Sequence, residues 1–177
     1  MGNTAGSHPI VKIVFLGDGS VGKTALVRRF CENRFEESRV MTIGVDFQIK
    51  EMVIEDRLIK LSIWDVAGQD RFQFVRETFY RGSQAAALVY DCSKPETFHH
   101  LDRWVAEIRA FAPRVPFILV ANKQDLGESV EVNPMEFAAR IGAPMFKTSA
   151  LSGEQVPQMF YRLAELALHP AASESVD

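Results

Sequence analysis

The sequence contains no apolar run approaching the ~20 residues of a membrane-spanning helix. Cysteine is scarce. Cys31 and Cys92 are too few for a disulfide framework and lack the paired spacing of a zinc site. They are expected to be small, partly buried hydrophobic groups in a reducing compartment. An excess of one charge is missing too: 20 Lys plus Arg stand against 23 Asp plus Glu, a formal net charge of −3. That balance argues against a general nucleic-acid binder. There is no internal repeat and no low-complexity tract. What is present is ordinary for a globular protein, 47% hydrophobic and 24% charged, with a mean hydropathy of −0.04. The 177 residues suffice for one domain that buries about two thirds of its unfolded surface.

Neither end carries an anchor signal. MGNTAGSHP misses the myristoylation pattern because Gly6 stands where Ser or Thr is required, with Ser7 one place late. AASESVD has no cysteine and no basic cluster. The expectation is a flexible tail over residues 1–9, one domain over 10–169 and a second tail over 170–177. A cytoplasmic location is expected; either the protein is soluble or an anchor has been removed.

The body alternates strands and helices. VKIVFLG, AAALVYD and PFILVAN read as buried strands, and PMFKTSA as a shorter last one. VDFQIKEMVIEDRLIKLSIWD reads as a hairpin turning near Glu55–Asp56. A helix from about Lys23 to Asn33 turns Leu26, Val27 and Phe30 inward. Ser93 with Glu96 predicts a capped helix carrying Phe98, Leu101, Val105 and Ile108. Asn133-Pro134 with Glu136 predicts another, stopped by Gly142. Ser152 with Gln155 predicts a third capping box. His99 and His100 lack any partner pattern and read as a solvated helix face. The fold class is α/β, with a mostly parallel sheet, one antiparallel strand and helices on both faces. Ligands of such sheets bind at the carboxyl ends of the strands, here after Leu16, Ile63–Trp64, Tyr90, Ala121 and Thr148.

Gly17-Asp18-Gly19-Ser20-Val21-Gly22-Lys23-Thr24 fits two phosphate-binding patterns. Gly17, Gly19 and Gly22 spell the dinucleotide fingerprint. A dinucleotide fold, however, needs neither Lys23 nor Thr24 and wants an acid closing a second strand about 20 residues on. Asp46 lies near that distance but opens a strand. The P-loop pattern fits better. Backbone N–H groups of residues 17–22, continuing through Ala25 into a helix start, would cradle phosphates. Lys23 would neutralise the β and γ oxygens, and the Thr24 hydroxyl would ligate Mg²⁺.

Two further elements follow strands. Asp65-Val66-Ala67-Gly68-Gln69 offers an acid for the Mg²⁺ shell, a Gly68 N–H for the γ-phosphate and Gln69 to orient an attacking water. Asn122-Lys123-Gln124-Asp125 offers base recognition, because the acceptors of Asp125 suit the N1–H and N2 donors of guanine and oppose adenine. Lys123 would cover the base plane and Asn122 would tie the loop to the P-loop. Ser149-Ala150-Leu151 would give a backbone N–H to guanine O6.

With these elements in order, the chain resembles the Ras superfamily of small GTPases over about Val11 to Leu168, closest to its Rab branch. Thr42-Ile43-Gly44-Val45-Asp46-Phe47, Trp64 before Asp65, and Tyr80-Arg81-Gly82 carry the branch resemblance. It implies a six-stranded P-loop G domain cycling between GTP and GDP, with switches around 35–47 and 67–82. It further implies that Thr42 binds Mg²⁺ and γ-phosphate in the GTP state and that Phe35 sits edge-on to guanine. Phe47, Trp64 and Phe79 fall where the branch displays an aromatic effector triad, the last usually Tyr. Exchange factors, activating proteins and effectors are the implied partners, nucleic acid is not, and a monomer is expected. Leu151 replaces the usual Lys of its element, and the prenylated cysteines of the branch are not in this sequence. Arg39, three residues before Thr42, looks like the R-V-x-T of heterotrimeric G-protein alpha subunits, whose catalytic arginine acts in cis; an exposed loop arginine is the alternative. Two rival functions remain, a GTP-binding module that does not hydrolyse and a nucleotide kinase. Unaltered Thr42 and Gln69 oppose the first, and the Asn122–Asp125 element opposes the second.

Overall fold

Val11, Ile13 and Phe15 face one side of β1 (Ile10–Leu16), Val14 and Leu16 face the other, and all five are buried. This is the pattern of a strand covered on both faces. The computed structural model describes residues 8–36, 42–129 and 131–169. β3 (Arg57–Val66) and β4 (Ala85–Asp91) flank β1 in parallel. β5 (Phe117–Asn122) and β6 (Met145–Lys147) extend the sheet beyond β4, also in parallel. β2 (Val45–Ile54) pairs antiparallel with β3 from Val45↔Val66 to Ile54↔Arg57. The order is β2-β3-β1-β4-β5-β6, the α/β architecture expected, with one antiparallel strand.

Two apolar layers sandwich this sheet. On one side α1 (Lys23–Glu32) contributes Leu26 and Val27, and α6 (Val156–Leu168) contributes Met159, Phe160 and Leu163. Phe30, expected on the inner face of α1, stacks on Phe160 with ring centroids 4.0 Å apart. On the other side lie α2 (Gln73–Tyr80), α3 (Pro95–His99), α4 (Leu101–Arg109) and α5 (Pro134–Ile141), burying Tyr80, Leu101, Trp104, Ile108 and Phe137. Cys31 is half-buried, Cys92 is buried, and both are free thiols. Burial pushes both thiols up, Cys92 to about 11, so they behave as small hydrophobic groups. Among the described residues no helix is long and apolar enough to cross a membrane.

Local turn chemistry agrees with the sequence in some places and departs from it in others. The hairpin turns at Glu55 and Asp56, both at positive φ (49° and 60°), as a two-residue turn requires. Asn133 caps α5 by accepting from the Glu136 N–H, and Gly142 ends that helix. Ser93 does not cap a helix. Its hydroxyl and its N–H both donate to Asp91 Oδ1, and Lys94 takes the cap position of α3. The helix expected from Ser93 onward breaks at His100, which ends α3 and opens α4. The capping box at Ser152 and Gln155 is absent as well. Gln155 adopts φ 52° at the start of α6, and its Oε1 accepts from the Lys147 N–H instead.

Candidate nucleotide site

The parallel strands deliver residues 17–24, 65–69, 91–93, 122–125 and 148–151 to one edge of the sheet. Gly22 has φ 99°, and a Cβ there would collide with the Asn122 side-chain amide, so only glycine fits the turn. α1 starts at the next residue, which points its first N–H groups into the loop. Val21 is buried beneath the loop, Ala25 is half-buried against the core, and Asp18, Gly19 and Ser20 lie nearer the surface. Ser20 holds φ 67°. Lys23 is buried and its Nζ donates to the carbonyls of Gly17 (2.7 Å) and Asp18 (2.8 Å). Burial pushes its ammonium down to about 8, against the opposing pull of Asp65 and Asp18. Gly68 lies directly on this loop; a Cβ on it would collide with the backbone of Gly17, Asp18 and Gly19.

Thr24, Thr42 and Asp65 converge, although they lie on three separate segments. The Thr24 hydroxyl donates to Asp65 Oδ2 and is 2.9 Å from the Thr42 hydroxyl, which is itself 3.4 Å from Asp65 Oδ2. Asp65 is 3% exposed, and burial pushes its carboxyl up against the pull of Lys23. Its Oδ1 is buried without a hydrogen-bond partner among the described residues. Such an atom is costly unless something satisfies it. Two hydroxyls and a carboxylate with an unsatisfied oxygen form a hard-oxygen donor set that suits Mg²⁺.

The base-recognition segments are joined to the phosphate loop by hydrogen bonds. Asn122 Nδ2 donates to the Val21 carbonyl at 2.9 Å, while its Oδ1 accepts from the Thr148 hydroxyl. Lys123 Nζ donates to the Ser20 carbonyl at 2.7 Å and pairs with Asp91 Oδ2 at 2.8 Å. Asp125 accepts from the Ser149 hydroxyl at 2.6 Å. Arg29, from α1, donates through Nε to the Ala150 carbonyl and through Nη2 to that of Leu151. The sequence reading missed Arg29 and Asp91. Asp91 closes β4, at the strand end where chemistry was expected, so its position was a usable signal. Nothing local marks Arg29.

Gln69 is half-buried just after Gly68, and its carbonyl accepts from Arg76 at 2.7 Å. Phe35 lies at the surface beyond α1. Arg39 lies outside the described residues. Phe47, 55% exposed, stacks on Trp64 with centroids 5.2 Å apart, and Trp64 meets Phe79 at a tilt, 5.3 Å away. Lys12 Nζ lies 4.7 Å from the Trp64 ring centroid, a cation–π distance. His99 and His100 are both exposed, as read, and His100 Nδ1 also lies 2.5 Å from Asp18 Oδ2.

Residues 12–169 match the Ras family. The chain belongs to that family. Ras-related protein Rab-4 of Dictyostelium discoideum is 44% identical over 158 residues, covering 86% of this chain and 77% of the relative. Ras-related protein RABA4b of Arabidopsis thaliana is 42% identical over 158 residues, 87% of this chain and 70% of the relative. Ras-related protein Rab11C of Nicotiana tabacum is 40% identical over 155 residues, 85% and 70%. These relatives set it in the Rab branch. As a small GTPase of this family it binds GTP and GDP, hydrolyses GTP and answers to regulators and effectors as a switch.

Proposed function

We propose that the chain is a Mg²⁺-dependent GTPase switch in which Thr24, Thr42 and Asp65 hold the ion and residues 17–25 hold the phosphates. The observation that supports this most directly is the meeting of those three side chains beside an unsatisfied Asp65 oxygen. Bound there, Mg²⁺ would neutralise phosphate charge. Lys23, which now donates to the Gly17 and Asp18 carbonyls, would turn a hydrogen toward β and γ oxygens. The Gly68 N–H, unobstructed by a side chain, would hold the γ-phosphate, and Gln69 would orient the attacking water. Asp125 would accept from guanine N1 and N2, steadied by Ser149, while Ala150 and Leu151 would present N–H groups to O6. Phe35 and the Lys123 stem would cover the base. Loss of the γ-phosphate would release Thr42 and Gly68, and with them both switches.

Partners would read the nucleotide state on the Phe47–Trp64–Phe79 cluster of a monomer, exposed at Phe47 and half-buried at the other two, in regulation of the membrane-traffic kind that the Rab branch supports. The deciding experiment identifies the nucleotide that co-purifies and follows its turnover by the protein alone. GDP, with slow phosphate release from added GTP, is expected. An adenine nucleotide, or transfer of phosphate to a second nucleotide, overturns the reading.

The Arg39-x-x-Thr42 spacing supports a second assignment, Arg39 as a cis arginine that stabilises charge developing at the β/γ bridge. Arg39→Ala should then lower single-turnover hydrolysis by about tenfold or more while GTP affinity changes little. Equal rates in the two proteins would mean that any arginine finger comes from outside.

A further inference from the structure

Arg76 is the largest charged side chain in the interior, 1% exposed, and the expected site residues do not include it. It projects from α2 toward Glu107 of α4, whose side chain is 7% exposed. Nε and Nη2 take the two carboxylate oxygens at 2.5 and 2.9 Å, a bidentate fork. The Tyr80 hydroxyl donates to the same carboxylate at 2.7 Å. Burial first, then Glu107, pushes that hydroxyl well above its ordinary value, so it stays a donor. The guanidinium lies over Trp104, 4.5 Å from the ring centroid, and Trp104 Nε1 donates to Asp18 Oδ1 of the phosphate loop at 2.9 Å. A buried pair of this kind adds little stability over an apolar pair of equal volume. Packing alone therefore gives no reason for it.

The third nitrogen points to a reason. Nη1 donates to the carbonyls of Gln69 at 2.7 Å and Ala67 at 3.4 Å, the two residues that bracket Gly68. In a trans peptide the C=O and the following N–H point in opposite directions. Holding the Ala67 carbonyl toward α2 therefore turns the Gly68 N–H away from α2, and Gly68 lies on the backbone of residues 17–19. Holding the Gln69 carbonyl sets where that residue begins its side chain.

We propose that Arg76 is a positioning residue for GTP hydrolysis: braced by Glu107 and Tyr80, it clamps the Ala67 and Gln69 carbonyls so that Gly68 and Gln69 face the phosphate loop. This rests on the reading of Gln69 as the residue that orients water. A lysine cannot replace the fork, because one ammonium cannot hold both carboxylate oxygens and both carbonyls in a plane.

The test is single-turnover GTP hydrolysis by two variants of the full chain, in the parent and in a Gln69→Leu background. Arg76→Lys keeps a charge for Glu107 but loses the second arm. Arg76→Met with Glu107→Leu leaves no buried charge unpaired and guards against simple unfolding. Each should hydrolyse GTP about tenfold or more slowly in the parent, with GTP and GDP affinities held within about threefold. In the Gln69→Leu background the same changes should cost clearly less than in the parent, leaving only the share carried by Gly68, because groups that act through one another are not additive. Normal hydrolysis by the apolar pair, or an equal loss in both backgrounds, overturns the clamp alone and makes Arg76 structural. A Gln69→Leu protein that hydrolyses at the parent rate overturns the reading of Gln69, and the clamp with it.

Discussion

Asp125 receives the Ser149 hydroxyl at 2.6 Å, and an ionised carboxylate offers acceptors only. Asp125→Asn exchanges one acceptor for a donor, which suits the extra carbonyl of xanthine. GTP should lose about 2–4 kcal/mol and XTP should gain on it, measured by competition for one site. Unchanged GTP affinity would reduce residues 122–125 to a turn. Asp91 makes a different argument at the same scale. Burial alone would raise its carboxyl, but the bonds from Lys123 and Ser93 outweigh burial and hold it below the usual carboxylate range. The folded group therefore binds its proton more weakly than the unfolded one. The stability it contributes is complete above the ordinary carboxylate range and is lost as pH falls through the depressed value. Asp91→Asn should cost about 2 kcal/mol near neutral pH and flatten the acid limb of the stability curve. Denaturant titrations of the GDP-loaded protein from neutral to strongly acid pH read both effects. A parallel curve, displaced at every pH, would show that the carboxylate charge is not what matters.

At the scale of the elements, the β2–β3 hairpin turns through Glu55 and Asp56 at φ 49° and 60°, positions where glycine costs less than an L side chain. Asp56→Gly should raise stability by about 0.5 kcal/mol, seen as a higher denaturant midpoint at constant slope. A lower midpoint would show that the aspartate makes a contact worth more than the strain. This turn was legible because its determinant is local, as were the Asn133 cap and the Gly142 stop. The buried strands were legible for the same reason, since the apolar run of β1 is a property of seven adjacent residues. The failures share the opposite cause. Ser93 fits a helix cap by spacing, yet Asp91, two residues back, holds its hydroxyl. Gln155 fits a capping box, yet its amide is held by the backbone of β6. Arg76 with Glu107, and His100 with Asp18, meet only after the sheet is assembled, across 31 and 82 residues. Motif spacing pointed to the groups expected to touch the nucleotide and to the Asn122 tie between loops, and left unseen the other groups that hold them, such as Arg29, Asp91 and Arg76.

For the molecule as a whole, the decisive property is that three separate segments close on one point. Thr24 lies in the first turn of α1, Asp65 near the end of β3, and Thr42 just before β2; on the proposed reading Thr42 would be held or released without disturbing the sheet core. That separation is what lets a small change at the γ-phosphate become a change of surface. A ligand shifts such a balance only by the difference in its contacts with the two states. In the proposed site the GTP state would use Thr42 and the γ-phosphate as well as Thr24 and Asp65, whereas the GDP state lacks the γ-phosphate. Thr24→Asn removes the hydroxyl that now bridges Asp65 and Thr42, so it should weaken GTP more than GDP when Mg²⁺ is present. With one ligand hydroxyl lost, the difference should be about tenfold in dissociation constant, roughly 1.4 kcal/mol. With Mg²⁺ chelated, the difference should vanish, because in the proposed site the hydroxyl would reach the γ-phosphate only through the ion. Titrating both nucleotides against parent and variant, with and without Mg²⁺, gives the full set of comparisons. Equal losses for GTP and GDP in the presence of Mg²⁺ would take Thr24 out of the switch and leave it a structural contact of the phosphate loop.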